Sequence, residues 1–112
     1  MKKIWVTFQR KGIHAYPSAP ADVQYLSHPH RHLFKFKVTV SVLHEDREVE
    51  FHQFLNWLES LYDSSVLVLC SKSCEMLAEE LLLLIEEKYP NRFVEVEVSE
   101  DSECGAVVSN YE

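Results

Sequence analysis

A chain of 112 residues, 46% hydrophobic and 26% charged, has room for one globular domain spanning 1–112 and argues against two. Its formal net charge of −7 sets the surface against nucleic acid, whose phosphates it would repel. The longest apolar run, Leu81 to Ile85, is far too short to span a bilayer, which excludes a membrane-spanning helix.

Ile4, Val6 and Phe8 alternate with Lys3, Trp5, Thr7 and Gln9, which predicts a first strand with one apolar face. Gly12 is expected to bend the chain, and Pro17, Pro20 and Pro29 mark Ala15 to Pro29 as a loop. The second strand carries the cleanest pattern: Phe34, Phe36, Val38, Val40 and Val42 alternate with Leu33, Lys35, Lys37, Thr39 and Ser41, as in an antiparallel sheet covered on one face. After a polar turn from His44 to Arg47, Phe51, Phe54, Leu55, Leu58, Leu61 and Tyr62 recur at helical spacing, predicting a helix from Glu50 to Tyr62. Val66 to Leu69 is a short apolar run whose type the pattern leaves open.

A second helix is expected to begin at Ser71 or Ser73, either of which can cap it, and to end before Pro90. Leu82 and Leu83 widen its inner stripe beyond Met76, Leu77, Leu81, Leu84 and Ile85, so more than one side is expected to be covered. Val94, Val96 and Val98 form a third strand, and Ala106 to Tyr111 a fourth, with Gly105 in the turn between them. The order is ββααββ: an α+β domain with a four-stranded antiparallel sheet and two helices on one face. The uncovered face and the free strand edges invite a homo-oligomer.

The histidines carry the chemistry. His30 and His32 are two apart on a strand and share the parity of the Phe34 row, so their imidazoles lie on one side, an arrangement that suits zinc. His14, just after the first strand, is the natural third ligand, with His28 as a substitute. Unrelated surface histidines in a loop are the plainer account of an HxH pair.

Arg31, Lys35 and Lys37 give this region a local positive charge that suits a small anionic ligand. Glu100 continues the apolar row of Val94, Val96 and Val98 with a carboxylate, which calls for hydrogen-bond donors such as the ring edge of a purine or pterin; otherwise the strand has ended and Glu100 is solvated. Asp63 closes the first helix, where it either orients a histidine and moves protons or simply begins a turn. Of Cys70, Cys74 and Cys104, only Cys104 is placed to meet a ligand. The odd cysteine count and the lack of a signal peptide fit reduced thiols in a cytoplasmic protein.

At these residues the chain resembles the tunnelling-fold 6-pyruvoyltetrahydropterin and 6-carboxytetrahydropterin synthases, from the first strand to about Val108. His30-Arg31-His32 resembles that family's His-Gly-His zinc motif, His14 its third zinc histidine and Glu50-Phe51 its Asp-Phe helix start. Lys72-Ser73-Cys74-Glu75-Met76-Leu77-Ala78 is similar to its second helix start, and Glu100 to its ligand-anchoring glutamate. The departures are specific. The catalytic cysteine is replaced by Leu26, and the Asp-His pair reads Asp63-Ser64, with Val68 where the family has asparagine. The shortened chain also resembles phage-encoded members of the superfamily.

The resemblance implies a barrel of subunits joined edge to edge, with a pocket between them. It implies metal at His14, His30 and His32, a ligand anchored by Glu100, and Asp63 as the surviving catalytic group; Arg31 by its charge and Cys104 by its place near Glu100 are expected beside that ligand. Lost acid–base groups, worth about 10²–10⁴ each, favour binding of a pterin-, purine- or nucleotide-like molecule, including nucleotide sequestration, over the family's lyase reaction. The alternatives are a zinc-dependent lyase with relocated acid–base groups, drawn from His28, Tyr25 and Cys104, and a structural oligomer without ligand.

Overall fold

The computed structural model describes residues 1–111. The chain runs β1 (Lys2–His14), a short 3-10 helix (Ala21–Ser27), β2 (His30–Val42), α1 (Phe51–Ser60), β3 (Val66–Cys70), α2 (Cys74–Lys88), β4 (Val94–Glu100) and β5 (Cys104–Ser109). It is an α+β protein, as its patterns predict, but the sheet has five strands in the order β3-β1-β2-β4-β5. The added strand is β3, formed by the apolar run of open type, and it lies parallel to β1 while every other pair is antiparallel. The expectation of a four-stranded, wholly antiparallel ββααββ sheet is therefore corrected to a mixed ββαβαββ arrangement. Among the described residues, no helix is long and apolar enough to cross a membrane.

The sheet is built on one register. Val6 pairs with Val38, Phe8 with Phe36 and His14 with His30, while Val38 pairs with Val96 and Phe34 with Glu100. Even-numbered residues of these strands thus form one continuous face. Val6, Phe8, Phe34, Phe36, Val38, Val40, Val94, Val96 and Val98 are buried there against Phe54 and Leu58 of α1 and Leu77, Ala78, Leu81 and Ile85 of α2. Phe8 and Phe36 stack with ring centroids 4.6 Å apart. Arg10 interrupts the apolar row of β1 and ties down the end of α1, donating from Nε to the Tyr62 carbonyl at 2.9 Å and pairing with Glu59 at 3.1 Å. The opposite face is polar and open, with Lys37 lying 5.0 Å from the centre of the exposed Trp5 ring.

Both long helices begin where side chains take up free backbone N–H groups. Glu50 accepts from His52 and Gln53 ahead of α1, and Ser73, rather than Ser71, caps α2 by accepting from Met76. Leu82 is buried, but Leu83 and Leu84 are exposed, so within one chain α2 is covered on one side only. Part of the expected Ala15–Pro29 loop is the short 3-10 helix, and Gly105 lies inside β5 rather than in a turn.

Gly12 does not bend the chain; β1 runs straight through it to His14. Its reason is packing. A Cβ at Gly12 would stand 2.7 Å from Cδ2 of the fully buried Phe34 and 2.9 Å from Cδ1 of Leu69, closer than real carbon contacts. Phe34 therefore lies across the backbone of Gly12. We expect Gly12→Ala to destabilise the protein by about 1–3 kcal/mol, the usual cost of overpacking a filled core. Urea unfolding followed by circular dichroism checks it, and a midpoint unchanged from wild type would show that the Phe34 ring gives way freely.

Candidate metal centre

The even-numbered row ends in histidines. His14 closes β1, His30 opens β2 directly opposite it, and His32 follows on the same face. One potential ligand atom from each of the three lies within 4.8 Å of the others. The rings stand edge to face, with centroids 4.6, 4.9 and 5.2 Å apart. The fully buried Phe34 forms the floor, edge-on to His14 at 5.1 Å and to His32 at 5.7 Å. His14 is itself buried at 8% exposure, which matters because a buried imidazole needs partners for both nitrogens.

Each ring is oriented by an outer acceptor. His14 Nδ1 donates to the Lys72 carbonyl at 2.8 Å, His30 Nδ1 to the His28 carbonyl at 2.8 Å, and His32 Nδ1 to Asp101 Oδ2 at 2.7 Å. All three partners only accept, so each Nδ1 carries the proton and a neutral ring leaves its Nε2 lone pair free. This is the outer arrangement typical of metal-binding histidines. The Nε2 atoms of His14 and His32 are buried and make no hydrogen bond. Two buried lone pairs without partners cost stability unless a cation uses them, so the residues present fit a metal ion.

The outer acceptors are set by unusual backbone. Cys70 adopts a left-handed conformation, φ 56°, at the end of β3, and the turn that follows brings the Lys72 carbonyl to His14. The pairing of β1 with β3 slips between Ile13 and His14, a bulge of the kind that re-aims side chains beside sites. Asp101 and Ser102, at φ 55° and 60°, make the tight turn between β4 and β5, closed by the Glu103 N–H donating to the Glu100 carbonyl at 2.9 Å. Neither residue is glycine, so the turn is strained, and Asp101 offsets this by accepting from both His32 and the Leu33 N–H, the latter at 2.8 Å. Those two donors, Leu33 first, hold its carboxyl below the usual range.

Glu100 is the last residue of β4, and its Oε2 lies 2.9 Å from His14 Nε2 and 3.7 Å from His32 Nε2. It is half-buried and part of the cluster, not a solvated strand end. A cavity of about 800 Å³ opens over the centre, lined by His14, His30, Glu100 and Cys104, by Tyr16, Pro17 and Leu26, and by the first turn of α2. Cys104 Sγ is 3.8 Å from Glu100 Oε1, and desolvation and the Glu100 charge push its thiol up, away from thiolate character. Cys74, also lining the cavity, is pushed up to about 12 by burial.

Of the residues singled out from sequence, His14, His30, His32, Glu100 and Cys104 come together. His28 contributes its carbonyl rather than its ring, and Leu26 lines the cavity with an apolar side chain. Arg31 is exposed and alternates to the opposite face of β2 from His30 and His32. Asp63 is exposed, precedes the end of β3 remote from His14, and does not line the cavity. Tyr25 is 72% exposed and also outside it. Asp101 and the Lys72 carbonyl are the functional groups that sequence reading missed. Compared with protein-family models and with curated proteins, the chain matches none.

Asp101→Asn keeps the turn but offers His32 a neutral acceptor. We expect affinity for a divalent metal ion, probed with zinc, to fall about 10–100-fold, the usual loss when an outer partner is weakened. Ser102→Gly, which only relieves turn strain, should leave affinity unchanged and raise the melting temperature. Competition titration against a chromogenic chelator, with thermal melts of both variants, checks the pair.

Proposed function

We propose that the protein is a tunnelling-fold relative that binds a pterin-, purine- or nucleotide-like molecule beside a zinc ion held by His14, His30 and His32. The observation that carries this reading is the convergence of three imidazoles whose Nδ1 atoms are already committed, two of which, His14 and His30, line a cavity that Glu100 also enters. Imidazole donors with a carboxylate nearby suit zinc among common divalent ions. Bound there, zinc would supply a positive charge beside the ligand. The chain's own part is to bind and orient. Glu100 accepts N–H groups from a ring edge, and Tyr16, Pro17 and Leu26 give an apolar wall for the ring plane.

Binding is favoured over turnover. Leu26 cannot exchange a proton, the Cys104 and Cys74 thiols are both pushed up, and Asp63 is outside the cavity of its own chain. Sequestration of a small molecule needs none of these groups. The edges of β3 and β5 are unpaired, and each shows an exposed valine, Val68 and Val107. These edges support assembly into a homo-oligomer in which a second copy completes the cavity.

Native mass spectrometry of the purified protein should show stoichiometric zinc and a mass above the 13.1 kDa of one chain. His30→Ala should lose the metal; zinc retained in that variant, or a monomer without metal across micromolar concentrations, would overturn the reading.

With zinc saturating, calorimetry against pterin, deazaguanine and cyclic nucleotides separates ring recognition from metal binding. Glu100→Gln should weaken binding by about 1.5–3 kcal/mol, the scale of one charged hydrogen bond. Glu97→Gln should change little, because Glu97 is exposed on the other face of β4. Equal effects of the two substitutions would remove Glu100 as the ring anchor.

A further inference from the structure

We propose that Glu100 is itself a ligand of the metal, so that the centre is a closed set of three imidazoles and one carboxylate rather than three imidazoles with an open position. This rests on the zinc reading above and adds to it.

The argument starts from charge. His14 Nδ1 donates to a carbonyl, so in the neutral ring Nε2 holds a lone pair, and that lone pair faces Glu100 Oε2 across 2.9 Å. A lone pair against a carboxylate oxygen at that distance is repulsive unless positive charge lies between them. A proton on Nε2 would serve, but it would make a directed hydrogen bond, and His14 Nε2 has none. The same is true of His32 Nε2, whose separation from the same oxygen is 3.7 Å. One cation lying off both N···O lines satisfies all three atoms at once.

Distances support this. Atoms bound to one zinc ion at about 2.0–2.2 Å stand roughly 2.8–3.6 Å apart for angles between 90° and tetrahedral. Of the two observed separations, 2.9 Å lies inside that range and 3.7 Å just beyond its upper end. The backbone allows it too, because Glu100 pairs with Phe34 and so stands across the sheet from the same row that carries His32. Only Oε2 is taken up. Oε1 is turned toward Cys104, at 3.8 Å from its sulfur, and remains for a ring N–H. A carboxylate with one oxygen on the metal and one toward the cavity couples metal loading to ligand binding, because the metal fixes the acceptor that the ring must meet.

The test is metal binding alone, on the full chain. Zinc affinity is measured by chelator competition for the wild type, Glu100→Gln and His30→Ala, and the visible spectrum of each cobalt-loaded form is recorded. Glu100→Gln should bind zinc at least about tenfold more weakly, a loss that even outer partners reach, and its cobalt bands should shift as water replaces the carboxylate. Glu100→Asp, which retracts the carboxylate by one methylene, should show the same two changes and serves if the first variant does not fold. Affinity and cobalt spectrum unchanged in the Glu100 variants, with metal lost in His30→Ala, would overturn the proposal while leaving the three-histidine site intact. A wild type that binds no zinc would overturn both.

Discussion

The ladder between β1 and β2 is the constraint on which everything else rests. It is thirteen residues long on each strand, and a single register runs its whole length, from Lys2 opposite Val42 to His14 opposite His30. Side chains alternate with period two, so a slip of one residue would turn every apolar side chain to water and every site histidine to the wrong face. The hydrophobic core therefore fixes the histidine cluster. Burying Val6, Phe8, Phe36 and Val38 allows no other position for His14, His30 and His32. The core and the site share one surface, and Phe34, packed over Gly12, joins them.

Around that row the chain supplies a second layer from three separate connections. The segment before β2 gives the His28 carbonyl, the link from β3 to α2 gives the Lys72 carbonyl, and the turn from β4 to β5 gives Asp101. Each acceptor fixes one ring and one tautomer. Two of the three need left-handed backbone at residues with side chains, Cys70 and Asp101, a local cost that isolated segments would not accept. The sheet can hold these turns because its ordered strands enclose them.

Legibility followed the same division. The valine and phenylalanine rows and the parity of His30 and His32 could be read directly, because period-two alternation is written residue by residue. The run from Val66 could not be typed. Five residues are too few to show a period, and its parallel place beside β1 depends on a crossover through β2 and α1. Gly12 was misread for a related reason: glycine commonly marks a turn, whereas here it makes room for a ring twenty-two positions away. Asp101 sits next to Glu100 in the chain, yet no glycine or asparagine announces the left-handed turn that directs it to His32. Arg31 shows the limit of composition, since a cation beside the motif in sequence is on the far side of the sheet in space.

The spacing of the ligands along the chain has a consequence for folding. His30 and His32 are two residues apart on β2, whereas His14 reaches them only through the β1–β2 ladder and Glu100 only through the β2–β4 ladder. A metal ion held by the local pair alone would be held in the unfolded polypeptide too. It would lower the free energy of the unfolded ensemble as well as the native one, so the net stabilisation would be only the difference between full and partial coordination. Long-range closure must come first, and such closure is slow in sheets whose partners lie far apart in sequence. The cluster is thus complete only when the β1–β2–β4 register has been reached.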